Sequence, residues 1–181
     1  MENEKIEELL KSIEAAEVKL YEELEKEKES LKCDFGNERV PLLEYIKSAK
    51  VSYIVTSPVI YSMIIPALIM DLFVTIYQAV CFPIYGIPKV RRGEYIVFDR
   101  HRLRYLNSLQ KLNCLYCAYF NGLIGYVREI ASKTEQFWCP IRHSRRIRNA
   151  HRRYWHFLRY GDGDRLRERW MKLREELKDE S

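Results

Sequence analysis

Between Lys50 and Lys89 the chain reads VSYIVTSPVIYSMIIPALIMDLFVTIYQAVCFPIYGIP, residues 51–88, with Asp71 the one formally charged side chain in it. A helix crosses about 30 Å of hydrocarbon with roughly 20 apolar residues. At about 1.5 Å per residue, a helix of this length would reach well beyond that. Pro58, Pro66, Pro83 and Pro88 argue against one straight rod. Two arrangements remain open. One is a single spanning helix near 56–80 with an interfacial segment after it. The other is a re-entrant hairpin that breaks near Pro66–Asp71. A pair of buried core helices in a soluble protein is the bland alternative. Tyr53, Tyr61, Tyr77 and Tyr85 weigh against it, since Tyr at the ends of an apolar run suits a headgroup belt. Asp71 is costly in hydrocarbon. It must be protonated, pair with an Arg of the basic block, contact Gln78, or mark a hairpin break.

Charge is distributed in blocks around this stretch. The 181 residues carry a net charge of +5. Residues 1–50 hold 9 Lys/Arg against 14 Asp/Glu, and residues 89–181 hold 22 against 11. The basic flank places the C-terminal block on the cytoplasmic side of a membrane by the positive-inside rule. Met1–Glu29 is charged throughout and does not read as a cleavable secretion signal. Four segments follow: 1–50, an acidic helical or coiled-coil segment; 51–88, the membrane segment; 89–143, a Cys/His domain; 144–181, a basic helical hairpin.

Upstream, Ile6, Leu10, Ile13, Leu20, Leu24 and Leu31 form a heptad-like seam with Glu17 and Glu27 in the gaps. A polar helix with one thin apolar stripe needs a partner. Homo-oligomerisation through residues 4–32 and docking on the chain's own basic block are both open. Cys33-Asp-Phe-Gly-Asn reads as a loop and Pro41–Lys50 as a short helix.

Downstream, Cys114-Leu-Tyr-Cys117 and Cys139-Pro-Ile-Arg-His143 have the form C-x2-C-x21-C-x3-H. Thiolates two residues apart on a tight knuckle, closed by a second pair, suit a tetrahedral ion. Cys114, Cys117, Cys139 and His143 are therefore candidate ligands for zinc, with iron second and His101 as a spare donor. A redox C-x-x-C pair, a disulfide and simple packing are the alternatives. Glu94–Phe98 reads as a short strand, and Leu103, Leu106, Leu109 and Leu112 as a short helix. Asn121, Gly122 and Gly125 read as a loosening of the chain, and 123–137 as a second helix. Arg128, Glu129 and Glu135 read as its solvated face.

The runs EYIVFDRHRLRYLN, KLNCLYCAYFNGLIGYVREIASKTEQFWCPIRH and LFVTIYQAVCFPIYGIP resemble a family of bacterial membrane-associated proteins of uncharacterised function, sharing the CxxC…CPIxH region. The resemblance spans residues 51–143. It implies a bacterial inner-membrane setting and no activity.

In the last block Ile147, His151, Tyr154, Leu158 and then Leu166, Trp170, Leu173, Leu177 keep helical spacing around Tyr160-Gly-Asp-Gly-Asp164. This predicts an αα-hairpin, with Gly161 ending one helix and Asp164 capping the next. Arg145, Arg146, Arg148, Arg152 and Arg153, interleaved with aromatics, are candidate contacts for an anionic partner. The acidic N-terminal helix ranks first, lipid headgroups second and nucleic acid last. The expected fold class is mainly α. It comprises a long amphipathic N-terminal helix, a membrane helix or re-entrant hairpin, and a small metal-stabilised helical domain with a C-terminal αα-hairpin. The expected function is a membrane-anchored binding or scaffold protein that contacts lipid and an unidentified protein partner. A membrane-bound redox or metalloenzyme and a nucleic-acid-binding zinc protein are the alternative classes. No catalytic residue is assigned.

Overall fold

A computed structural model describes residues 2–30 and 39–180, with side chains from residue 5 to 27 and from 39 to 180. The protein is mainly helical. Its elements are α1 (Glu2–Ser30), α2 (Leu42–Ser48), α3 (Val51–Ser62), α4 (Ile64–Tyr85), α5 (Arg92–Tyr95), α6 (Ser108–Trp138) and α7 (Leu166–Lys178), with 3-10 turns at Arg100–Arg102 and Arg152–His156. The loop expected at 33–37 lies outside the described residues.

α3 and α4 form one apolar run, Val51–Tyr85, 35 residues long. The helix is interrupted only at Met63, which keeps right-handed helical dihedrals, so the chain does not reverse. The re-entrant hairpin is therefore corrected. Pro66 lacks the N–H that Ser62 would receive, which accounts for the break at this position. At Pro58 the helix is rescued differently. Ser57 donates its hydroxyl to the Ile54 carbonyl at 2.8 Å, the acceptor that Pro58 leaves empty. Gly86 ends α4 with φ 69, and the Ile87 N–H donates back to Phe82 at 2.9 Å, a Schellman-type stop.

α6 runs parallel to this helix. Tyr61 bonds Asn113, Tyr119 bonds Asp71, Gln78 bonds Tyr126, and Tyr85 stacks on Phe137 at 5.4 Å. Parallel neighbours require the chain to travel back between them. Residues 86–107 do so as a strap. Its backbone is held by Gln78, whose side chain accepts from Val90 N at 2.6 Å and donates to Val90 O at 3.3 Å.

The strap overturns three local expectations. Glu94–Phe98 is not a strand: α5 occupies its start, and the rest follows α6 with no strand beside it among the described residues. The Leu103–Leu112 helix begins only at Ser108, where Asn107 and Gln110 form a capping box. Asn121, Gly122 and Gly125 do not loosen the chain, because α6 passes through them unbroken. Gly122 lies where the strap crosses: a Cβ there would sit 2.5 Å from the Tyr95 carbonyl oxygen and 2.8 Å from Ile96 Cα.

The expected αα-hairpin is also corrected. Only its second helix, α7, forms. Residues 139–165 are largely irregular, with an isolated bridge between Ile141 and Leu158 and positive φ at Asn149 and Arg165. Five arginines between 145 and 153 would stack like charges on neighbouring helical turns. The irregular path instead buries Tyr154, Phe157 and Leu158. α7 packs on the end of α6, where Phe137 O, a helix-terminal carbonyl, accepts from Trp170 Nε1 at 2.8 Å and Arg174 Nε at 2.7 Å.

Ala at a helix position ordinarily improves on Gly by about 1 kcal/mol. The substitution Gly122→Ala is expected to lower the thermal midpoint in detergent, because its methyl meets strap backbone. Gly93→Ala, with nothing within 4 Å, is the matched control and is expected to leave the midpoint unchanged or raise it.

Candidate functional site

The outward surface of α3–α4 has the polarity of an interior. The positions turned toward α6 and the strap include Ser57, Tyr61, Ile64, Ala67, Asp71, Val74, Tyr77, Gln78, Cys81, Phe82 and Tyr85, most of them three or four residues apart. This covered stripe contains Asp71 and Gln78, the helix's carboxylate and its amide. The outward positions include Val55, Val59, Ile65, Leu68, Phe73 and Ile84, each more than half exposed. In the most apolar 18-residue window only 6% of residues are buried. Outward hydroxyls are closed within the helix: Thr56 donates to Ser52 O at 2.8 Å and Ser62 to Val59 O at 2.7 Å. This one helix is long and apolar enough to cross a membrane.

Behind that face lies a polar seam. Asp71 is ion-paired with Arg92 at 2.6 Å and accepts from Tyr119 at 3.0 Å. This is the arginine pairing expected for Asp71; Gln78 does not contact it and bonds Val90 and Tyr126 instead. Asp71 is 14% exposed, whereas Arg92, at 44%, reaches outward from the strap. Further along, Tyr77 shares a hydrogen bond with Thr134 at 3.0 Å.

The seam ends in a charge cluster at the far end of α6. Arg153 bonds Glu129, Gln136 and Glu180, and Lys133 donates to Pro88 O at 3.1 Å and lies 3.6 Å from Glu180. Burial alone would push the Glu180 carboxyl up. Arg153 and Lys133 outweigh burial and hold it below the ordinary carboxylate value. Burial and the nearby Arg153 charge push the Lys133 ammonium down. Of the residues expected on a solvated face, Arg128 is exposed, although it donates to Asn149 O at 2.7 Å. Glu129 and Glu135 instead hold partners: Glu129 pairs with Arg153 and Glu135 with His151 at 2.9 Å.

The four residues expected to share one ion are not brought together. Cys114 and Cys117 lie on the first half of α6, and Cys139 is its C-cap. At about 1.5 Å per residue, the unbroken helix holds Cys139 roughly 33 Å from Cys117 and about 38 Å from Cys114. A zinc site needs sulfur and nitrogen donors within about 2.0–2.3 Å of one centre. Among the described residues no group of three His, Cys, Asp or Glu is placed to hold a metal. Cys117 instead lines an apolar cavity of about 520 Å³ between α3 and α6. His143 stacks on Tyr154, and its backbone N–H donates to the Tyr154 hydroxyl at 2.8 Å. His101 sits in the strap's 3-10 turn.

The five arginines expected to meet an anionic partner separate into distinct environments. Arg153 is inside the Glu129–Glu180 cluster and is not available to an outside anion. Arg152 pairs with Glu17 of α1, so the acidic helix docks on the basic block of its own chain. Arg145 and Arg146 line a second cavity, of about 580 Å³, with Arg142 and Arg159. Arg148 is exposed and outside its wall. Sequence reasoning missed Arg92, Tyr119 and Glu180 because their partners lie 21 to 48 residues away. The lone Asp71 in an apolar run was the signal that a partner existed.

A double-mutant cycle of Asp71→Asn with Arg92→Gln, read by thermal unfolding in detergent, is expected to give a coupling of about 0.5–3 kcal/mol. The lowered Glu180 pKa contributes stability that is present above the unfolded carboxyl value and lost as pH falls through the folded value. Glu180→Gln is therefore expected to flatten the acid limb of the stability profile below about pH 5 and leave its neutral-to-basic limb sloped as before. Comparison with family models, curated proteins and solved structures found no match to this chain.

Proposed function

We propose that this chain is a membrane-anchored binding protein whose α3–α4 helix lies in the plane of one leaflet, apolar face down. The observation that carries the reading is the inverted polarity of that helix. Its carboxylate and amide face protein, while its aliphatic and aromatic side chains face outward. Water would leave that surface as a contiguous exposed patch far beyond what soluble monomers carry. Hydrocarbon removes the cost, at roughly 1.5–3 kcal/mol for each large side chain buried.

Two further observations favour lying in the plane over crossing. α4 and α6 are parallel, so a crossing α4 would need the strap to cross back beside it. Irregular backbone exposed to lipid leaves amide groups without partners and does not occur at that depth. This strap also carries Arg91, Arg92, Glu94, Asp99, Arg100, Arg102 and Arg104. Moreover, Glu17 precedes the apolar run and Arg152 follows it, yet the two are ion-paired. A single crossing would put them on opposite sides. An amphipathic body lying on a membrane satisfies all three constraints, with apolar side chains at the acyl boundary and the charged strap toward water. The basic block favours the cytoplasmic face of the membrane.

The anchor and its geometry have separate tests. The full chain is expected in the membrane fraction and to require detergent for extraction. The triple substitution Ile65→Ser, Leu68→Ser and Phe73→Ser is expected to shift it toward the soluble fraction at unchanged helix content. A detergent-free soluble monomer of the unsubstituted chain would refute the anchor. Tags at the two termini, probed by protease in right-side-out and inside-out vesicles, are expected to be cleaved from the same side. Cleavage from opposite sides would establish a crossing and overturn the in-plane arrangement.

A further inference from the structure

We infer that the apolar cavity between α2, α3 and α6 receives one acyl chain of a membrane phospholipid; the choice of a bilayer lipid as the source rests on the anchor proposed above. The cavity encloses about 520 Å³, within the usual range for a small-molecule site. Its wall joins Tyr45 and Ile46 of α2, Ile54 and Ile60 of α3, and Leu109 and Tyr116 of α6. Among the described residues that line it, none carries a charge.

The chemistry of the wall selects hydrocarbon. Tyr116 donates its hydroxyl to Ile60 O at 2.7 Å, Ser57 donates to Ile54 O at 2.8 Å, and Tyr61 donates to Asn113 Oδ1. With these groups engaged inside the protein, the space is lined mainly by carbon, and a polar ligand would lose its hydration for little return. The state of α2 is a second observation. It has seven residues, among them Leu42, Leu43, Tyr45 and Ile46, and none of the seven is buried. So short a helix has little stability of its own and depends on packing. An acyl chain in the cavity gives Tyr45 and Ile46 an apolar neighbour and removes that surface from water.

Position points to the source. Ile54 and Ile60 are 50% and 53% exposed, and each adjoins an outward residue of the anchor face, Val55 and Val59. The cavity thus borders the surface assigned to hydrocarbon, and a chain enters it sideways from the leaflet without passing through water. The charged side chains of α2 and its junction with α3 are Glu44, Lys47 and Lys50, all exposed and net positive. Lys50 Nζ lies 5.9 Å from the ring centroid of Tyr53, another residue of the wall. Two ammonium groups therefore stand beside the cavity, suited to the phosphate of a headgroup whose chain lies within.

The test photocrosslinks the full chain in digitonin, a detergent with a rigid steroid body in place of an alkyl chain. One probe is a phosphatidylcholine with a diazirine at the end of its palmitoyl chain; the other is palmitic acid with the same diazirine. Crosslinked residues are mapped by mass spectrometry. The phospholipid is expected to label Tyr116 and Cys117, which line the cavity on α6. Ala49→Trp, which sets an indole into the wall, is expected to cut that labelling roughly fivefold or more at unchanged helix content. Val55→Trp, on the outward face, is expected to leave it unchanged. Absence of label at Tyr116 and Cys117, or equal labelling in Ala49→Trp, would overturn the proposal. Labelling there by palmitic acid alone would make the occupant a free fatty acid and overturn the phospholipid. Labelling of Ile65, Leu68 and Phe73 reports the anchor face separately, so the cavity can fail while the anchor stands. Conversely, digitonin needs no bilayer, so label in the cavity is read even where fractionation rejects the anchor.

Discussion

The structure depends on the way α4 meets α6. An apolar helix has nothing to gain from hiding its leucines when its surroundings are themselves apolar. It has much to gain from hiding a carboxylate and an amide. Asp71 and Gln78 are held in one stripe, and both the strap and α6 are tied to it. Arg92 and Tyr119 come to Asp71, and Val90 and Tyr126 come to Gln78. The strap is pinned because it supplies Arg92 and the Val90 amide. α6 is set parallel because it supplies the two tyrosines. The glycine at 122 follows in turn, since strap backbone can approach helix backbone that closely only where no Cβ intervenes.

The same arrangement constrains how the protein would meet a membrane. Length and hydropathy permit a crossing helix. Connectivity works against it, because two parallel helices joined by a charged, irregular return cannot both cross unless the return crosses with them. The ion pair between Glu17 and Arg152 adds an independent constraint by tying together the segments on either side of the apolar run. The acidic and basic blocks, so distinct along the chain, thus meet in space. Part of the charge is paired internally, as in Arg153 with Glu129 and Glu180 and Arg169 with Asp162.

Helical periodicity was a good guide where a segment packs along one side and a poor one where irregular chain has the same spacing. Ile147, His151, Tyr154 and Leu158 keep helical intervals, yet they reach the core through a 3-10 turn and an extended segment. Arginines crowded on neighbouring turns would oppose a helix there despite the apolar spacing. The C-x2-C and C-x3-H pairs looked like the two halves of one site because 21 intervening residues are enough for a chain to loop back. Here those residues are continuous helix, which holds the halves apart. Asn121, Gly122 and Gly125 suggested a turn between them; in α6 Gly122 instead makes room for the strap.

The sequence alone determined what is local and compositional. It showed a mainly helical chain, an apolar segment with one anomalous carboxylate, an acidic amphipathic helix and a basic end. These follow from side-chain chemistry and periodicity, which need no knowledge of distant neighbours. Tertiary structure alone decided which residues meet. It selected Arg92 among the many cations as the partner of Asp71 and set the two long helices parallel. It separated Cys114 and Cys117 from Cys139, and enclosed Arg153 while leaving Arg145 exposed. Such outcomes depend on backbone direction and on contacts between residues far apart in the chain. Composition is silent on both, because the same residues could satisfy the same charges in many other pairings.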